Sequence, residues 1–290
     1  MELHRLWVEQ AAGGVRADFA GATLTDLMLD GACLRQAVLR DVSFLESDLA
    51  GADLSGADLT GADLRHVNLL GADFTGADLT DTNFREAWLA DANFSEARIF
   101  HTSFDKANLR GSRTVEALVH GASFANASLA GAQFNQSSIY DSNFAGADMA
   151  ETKLMRARLQ SCRFNQALAN GVDFSSASAQ DNDFTGARLD AAKFFRASLV
   201  RCKFIRASMA GCIFSEADLS FADLSEASLS GSRFAGANLT AANLAGAVLQ
   251  GARELTAQQL MTARTMATTV LPNGTQGPYL KGSGAERPKR

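Results

Sequence analysis

The chain has 290 residues, 47% hydrophobic and 20% charged, with a formal net charge of -5. That is enough for one or two domains and too apolar for a disordered chain. The hydrophobic share is mostly Ala, Leu and Phe, with two Trp, two Tyr and three Pro, a bias that points to a repeat rather than an ordinary globule.

At the N-terminus, Leu3, Leu6 and Trp7 stand at helical spacing and predict a helical cap within residues 1–16. The segment MELHRLWVEQ lacks the basic stretch and apolar core of a secretory signal, and no apolar run is long enough to span a membrane. From Phe19 to Leu249 a large apolar residue recurs every five positions without a register slip, and only Thr114, Ala169 and Ala179 break the pattern. Two residues before each centre stands a small residue, as in Ala52, Ala57 and Ala62, and the other three positions are mostly polar or Gly. A period of five suits neither a helix nor a simple strand, so the chain must turn at a fixed short interval. If each pentapeptide forms one side of a square coil, the large and small residues point inward and interdigitate. Phe84, Phe104 and Phe124 recur every 20 residues, Phe74 and Phe94 form an opposing set, and the centres whose numbers end in 9 are nearly all aliphatic. Two aromatic and two aliphatic walls imply four pentapeptides per coil. Thr114 beside Val115 and Leu118 leaves room for a local bulge or loop, and Leu168 next to Ala169, like Ala179, leaves a wall thin, but the preferred reading is the ordinary tolerance of a long solenoid. Thr256 followed by Gln259 reads as a capping box that opens a helix to about Thr268, with Leu260, Ala263 and Met266 on one side. That places a C-terminal capping helix within 253–270, and residues 271–290 read as a flexible tail.

The segments ADLSG, ADLTG, ANLTA and ADFTG resemble the A(D/N)LXX consensus of the pentapeptide repeat family, over residues 17–252. The resemblance implies an all-β solenoid, a right-handed quadrilateral β-helix of about 12 coils with short helical caps, about 56 Å long at the spacing of paired strands. Pro272, Pro278 and Pro288 all lie outside the repeats, as a backbone ladder requires. In several members of this family a C-terminal helix joins two molecules, so a homodimer through that helix is a further expectation.

No catalytic motif is present, and a filled coil offers no concave pocket where unlike groups converge, so neither an enzyme nor a cofactor is expected. His101, His120 and Asp141 fall near one corner but form a weak ligand set, and no metal site is assigned. Cys162 and Cys202 share an inward column about 9.6 Å apart by strand spacing, too far for a disulfide. With Cys33 and Cys212 they show neither CxxC spacing nor disulfide density, so a cytoplasmic location is expected.

Charge is uneven along the repeats. An acidic patch comprises Asp48, Asp53, Asp58, Asp63, Asp73 and Asp78, and a basic band comprises Arg156, Arg158, Arg163, Lys193, Arg196, Arg201, Lys203 and Arg206. The resemblance brings one specific role, protection of DNA gyrase by an acidic rod that imitates duplex DNA. The patch holds about one charge per 1.6 Å of coil axis, close to the roughly 1.7 Å of B-DNA. It covers only two coils, and the basic band would repel a DNA-binding surface, so gyrase is the second choice of partner. The basic band is too modest for nucleic acid. Phe100, His120, Tyr140, Val200 and Phe221 fall along or beside one corner column and form a candidate contact ridge for another protein. The expected function is therefore a non-enzymatic interaction protein, a bacterial scaffold or adaptor that family analogy associates with secretion systems.

Overall fold

The computed structural model describes residues 2–288. Met1, at the start of the expected cap, and Lys289 and Arg290, at the end of the expected tail, lie outside the described residues. The chain forms two compact units, Met1–Asn143 and Phe144–Arg290, each a stack of square coils closed by parallel backbone ladders. No helix among the described residues is long and apolar enough to cross a membrane.

The five-residue period translates into a fixed bonding scheme. In the first unit, the Phe74 N–H donates to the Asn93 carbonyl at 2.7 Å and the Asn93 N–H donates to the Ala72 carbonyl at 2.9 Å, which sets a register of 20 residues per coil. In the second unit the Phe164 N–H donates to the Asp183 carbonyl at 2.7 Å, and the Asp183 N–H to the Cys162 carbonyl at 3.0 Å. Between sides the chain turns: the Ala72 N–H donates to the Leu69 carbonyl at 3.0 Å across Gly71, whose φ of 65° marks a type II turn. The corner positions, numbered in 1 or 6, therefore demand the left-handed conformation. Asp41 and His66 adopt it without glycine's freedom, at φ 54° and 58°. Their backbone bonds to the next coil hold them there, as with Asp41 N–H to the Thr60 carbonyl at 2.8 Å.

Inside each unit the large centres and the small residues before them are buried. In the first unit Phe84 stacks on Phe104 at 5.0 Å and Phe104 on Phe124 at 4.8 Å, while Phe74 meets Phe84 edge-on at 5.5 Å. In the second, Phe164 stacks on Phe184 at 4.6 Å and Phe184 on Phe204 at 4.9 Å. These are favoured offset-stacked and edge-to-face geometries, so the columns gain energy beyond the area they bury. Several small polar residues on the inner wall are tolerated because they reach a carbonyl of the preceding coil. Thr82 Oγ1 donates to the Leu59 carbonyl at 2.8 Å, and Cys202 Sγ lies 2.8 Å from the Ala179 carbonyl. Burial pushes the Cys202 thiol up to about 12 and raises that of Cys212 as well, which leaves both as inert wall residues.

The coil runs through Thr114 without a bulge. Thr114 is buried, its N–H donates to the Gln133 carbonyl at 2.7 Å, and Arg113 pairs with Gln133 in the ordinary register. Thr114 itself fills the centre position, and Leu118 stays exposed. Ala169 and Ala179 are likewise buried centres in an unbroken ladder.

The ends depart from expectation. Helix α1 (Glu2–Val8) buries His4, whereas Leu3 is exposed and Leu6 and Trp7 are only half-buried. The His4 ring stacks on Trp7 at 5.6 Å, and its Nδ1 accepts the Ala17 N–H at 3.0 Å, tying the helix to the first coil. The C-terminal helix α2 (Ala257–Thr262) opens with the capping box of Thr256 and Gln259 but is six residues long and ends well before Thr268. Ladder pairing pulls the chain straight: the Arg264 N–H donates to the Ala242 carbonyl at 2.8 Å and the Val270 N–H to the Ala247 carbonyl at 2.9 Å. Of the three residues expected on one side of this helix only Leu260 is buried, and Met266 is exposed. Gln259 Nε2 reaches back to the Phe234 and Ala237 carbonyls at 2.8 and 2.9 Å and so covers open backbone. The segment expected as a flexible tail folds against the coil. The Gly251 N–H donates to the Pro272 carbonyl at 2.9 Å, the Asn273 N–H to the Ala285 carbonyl at 3.2 Å, and the Tyr279 hydroxyl meets Glu286 at 2.9 Å.

Phe84→Ala or Phe184→Ala removes a ring stacked between its neighbours and lowers stability by about 3–5 kcal/mol, measurable by denaturant unfolding of the full chain. His4 gives a pH effect of defined sign. Burial lowers its folded-state pKa. The cap is therefore fully stable above the unfolded value of about 6.5 and weakens as pH falls from there toward the folded value. In a Trp88→Phe background, Trp7 fluorescence reports that loosening, and a trace flat from about pH 7 to 5 rules out a neutral His4 as the tether.

Candidate protein-contact site

In the first unit three short parallel strands, β1 (Arg98–Phe100), β2 (Leu118–His120) and β3 (Ser138–Tyr140), run past one corner. Each ends in an aromatic side chain, a residue type that suits extended backbone. The register places Phe100 against His120 and His120 against Tyr140, so three of the five ridge residues form one outward column. The Phe100 and His120 rings lie 5.9 Å apart, and the Arg98 guanidinium stacks over Phe100 at 4.4 Å.

Beside the column lies a shallow hollow of about 370 Å³, walled by Phe100, Leu118, Val119, His120, Ser138 and Tyr140, with His101 at its edge. Leu118 is 53% exposed there, at a repeat position that elsewhere usually holds Asp, Asn or another polar residue. The His101 ring meets His120 edge-on at 5.5 Å. That contact depends on Gly121, whose φ is 63° and where a Cβ would stand 2.6 Å from His101 Nδ1. His120 Nε2 lies 3.4 Å from an Asp141 carboxylate oxygen. Among the described residues no group of three or more His, Cys, Asp or Glu is placed to hold a metal, so these side chains form a polar rim.

The other two ridge residues belong to the second unit. Val200 is half-buried, in a column with Gln160, Gln180 and Ser220, and Phe221 is 62% exposed at a corner with φ 59°. That column is mainly polar. β4 (Arg158–Gln160) and β5 (Ser178–Gln180) pair there in parallel.

The acidic patch is assembled by turn chemistry. Each of its aspartates accepts the backbone N–H two residues on: Asp53 from Ser55 at 3.0 Å, Asp73 from Thr75 at 2.9 Å and Asp78 from Thr80 at 3.0 Å, with Asp48, Asp58 and Asp63 alike. This is the local bond that favours Asp and Asn in turns. Asp53 stacks under Asp73 and Asp58 under Asp78, while Asp48 and Asp63 occupy the other two sides, so the six carboxylates are shared among all four faces. Asp63 also holds Arg65 through two bonds of 2.8 and 2.7 Å, and Asp58 pairs with Arg40. The Arg65 contact lowers the Asp63 pKa; at Asp58, Thr60 and Arg40 together outweigh a desolvation penalty and lower it too.

In the basic band, Arg196 pairs with Glu216 at 2.7 Å, Arg201 with Asp181 at 2.6 Å, Arg206 with Glu226 at 2.9 Å and Lys193 with Asp173 at 3.9 Å. Arg156, Arg158, Arg163 and Lys203 make no ion pair among the described residues. Half of the band thus stitches adjacent coils together through exposed pairs, each worth about 0–1 kcal/mol.

Pattern reading found the column but missed Leu118, Ser138 and the hollow. Leu118 carried a usable signal, an apolar residue at an outward position two before His120.

The model of pentapeptide repeats matches residues 15–41, 43–81 and 222–253, and that of the pentapeptide repeat region matches 72–144, 117–194 and 137–214. Among solved structures, HetL, a pentapeptide repeat protein involved in heterocyst differentiation regulation from the cyanobacterium Nostoc, is 23% identical. The match covers 95% of this chain and 98% of HetL, with a TM-score of 0.26. Full-length QnrB1, a plasmid-mediated fluoroquinolone resistance protein, is 19% identical over 84% of this chain and 93% of its own, with a TM-score of 0.27. No curated protein sequence matches. With matched repeats running through both units, and a quadrilateral parallel coil in each, this chain belongs to the pentapeptide repeat family, whose fold is the right-handed quadrilateral β-helix.

Proposed function

We propose that this protein is a non-enzymatic scaffold or adaptor that binds another protein through the hollow beside Phe100, His120 and Tyr140. One observation carries the reading: Phe100, Leu118, His120 and Tyr140 converge outward on a single hollow, in a repeat whose outward positions are otherwise mostly polar. An apolar side chain of a partner would enter between Leu118 and Tyr140, with Arg98, His101 and Asp141 as a polar rim. Such a buried apolar centre within a polar edge is the usual anatomy of a protein contact. A cytoplasmic location suits four thiols none of which is joined in a disulfide.

The acidic patch supports this reading over gyrase binding, because its carboxylates are explained by the turns they close. The test is a pull-down from the source cell with the full chain and with Phe100→Ala/Tyr140→Ala, at low and moderate salt. A partner retained at moderate salt and bound about 30-fold more weakly by the double variant is the expected result, the loss of a contact worth about 2 kcal/mol. Phe221→Ala should bind as the unaltered chain does. A partner held equally by both forms, or gyrase released by moderate salt and indifferent to the variant, would overturn the proposal.

A further inference from the structure

The two terminal coils differ in how their open backbone is covered. At the C-terminal end, Gln259, Arg264, Val270 and Pro272 occupy the carbonyls and amides that a further coil would use. At the N-terminal end, α1 closes only the corner near Ala17, Arg35 and Gln36. Among the described residues, nothing covers the two sides centred on Leu24 and Leu29. An apolar hollow of about 160 Å³ opens there, walled by Phe19, Leu24, Leu27, Leu29, Leu34 and Phe44. Phe19, Leu24 and Leu29 are only half-buried, whereas Leu39, Phe44 and Leu49, one coil on, are fully buried. Met28, on the rim, is 76% exposed.

The edge also carries a specific bonding pattern. Within the ladder, Ser43 sends its N–H to the Ala22 carbonyl and receives the Leu24 N–H on its own carbonyl, both toward the preceding coil. Thr23 and Met28 occupy the same repeat position in the first coil, and neither backbone group of either has a partner among the described residues. One residue that presents both its N–H and its carbonyl to an open edge matches one half of a closely spaced antiparallel pair. A parallel partner must instead offer groups from two residues that straddle the contact. In this chain groups of that kind lie at the C-terminal end, where Gln259 holds the Ala237 carbonyl and the hairpin after Val270 holds the Thr269 carbonyl and the Leu271 N–H.

We infer that this open edge is a self-association surface, on which a second copy of the chain docks head to head by antiparallel pairing of the sides bearing Thr23 and Met28. A two-fold axis through the corner between them sets Thr23 opposite Met28 of the second copy, and the reverse. It also brings together two apolar hollows. A straight peptide strand could pair with only one side, because the edge turns after every five residues; another square coil turns where this one turns. The two-fold contact is closed, so it yields a dimer and not a filament.

The test uses the full chain, with mass measured by light scattering and amide exchange followed from about 1 to 100 µM. The expected result is a dimer at the upper concentration, with exchange of the Thr23 and Met28 amides slowing as it forms. Met28→Lys, at an exposed position, should raise the dissociation constant at least tenfold, since an edge lysine opposes pairing. A monomer throughout, growth beyond a dimer, or a dimer in which those two amides stay fast would each overturn the inference. So would a dimer indifferent to Met28→Lys. The amide readout needs no variant and decides alone if Met28→Lys fails to fold.

Discussion

Everything in this protein depends on the intercoil backbone ladder with its register of 20 residues. Each pentapeptide sends one N–H forward to the next coil from its centre and one from its corner, and one back to the preceding coil, as Phe74, Gly71 and Asn93 illustrate. That arrangement leaves little freedom. The centre must be large and apolar, the residue two before it small, and the corner must accept a positive φ. Buried polar groups on the inner wall survive because a carbonyl of the preceding coil lies within reach, as for Thr82 and Thr102.

The same constraint decides how the surface can be read. Because Asp at the outward position closes its own turn onto the amide two residues on, an abundance of Asp is what such a coil produces for structural reasons. Acidity alone is then poor evidence for a binding face. The informative positions are those where the structural preference is overruled. Leu118 stands where the turn would favour Asp, and Phe100 and Tyr140 put outward aromatic rings where Gln160 and Gln180 stand in the second unit. These departures meet at one hollow. In the second unit the corresponding column returns to Gln160, Gln180 and Ser220, and charge is used to pair neighbouring coils, as Arg201 does with Asp181.

A repeated ladder also makes its ends the exceptional places, since a terminal coil has backbone groups with no successor. This chain treats its two ends differently. The C-terminal segment leaves the pentapeptide pattern yet keeps feeding residues into the ladder, with α2 as an interruption between Ala252 and Arg264. The N-terminal helix is fastened by a single buried histidine and covers one corner. Sequence periodicity describes the middle of a solenoid well and its ends poorly, because the groups that close an end come from residues outside the period.

The sequence by itself determined the square coil, the four walls, the stacking of Phe at intervals of 20 and the inertness of the inner cysteines, because each follows from a period that only one backbone path satisfies. It placed Phe100, His120 and Tyr140 in one column for the same reason. It left Thr114 open, since a pattern of residue types does not show that a threonine can fill a centre while Leu118 stays outside. It misjudged the caps, where His4 displaced Leu3 as the buried residue and ladder pairing cut α2 short. Only the tertiary structure decided those points, together with the hollow at Leu118 and the uncovered edge at Thr23 and Met28. Each depends on which groups from neighbouring coils come within reach, and distance in space is what a periodic sequence does not encode at its exceptions.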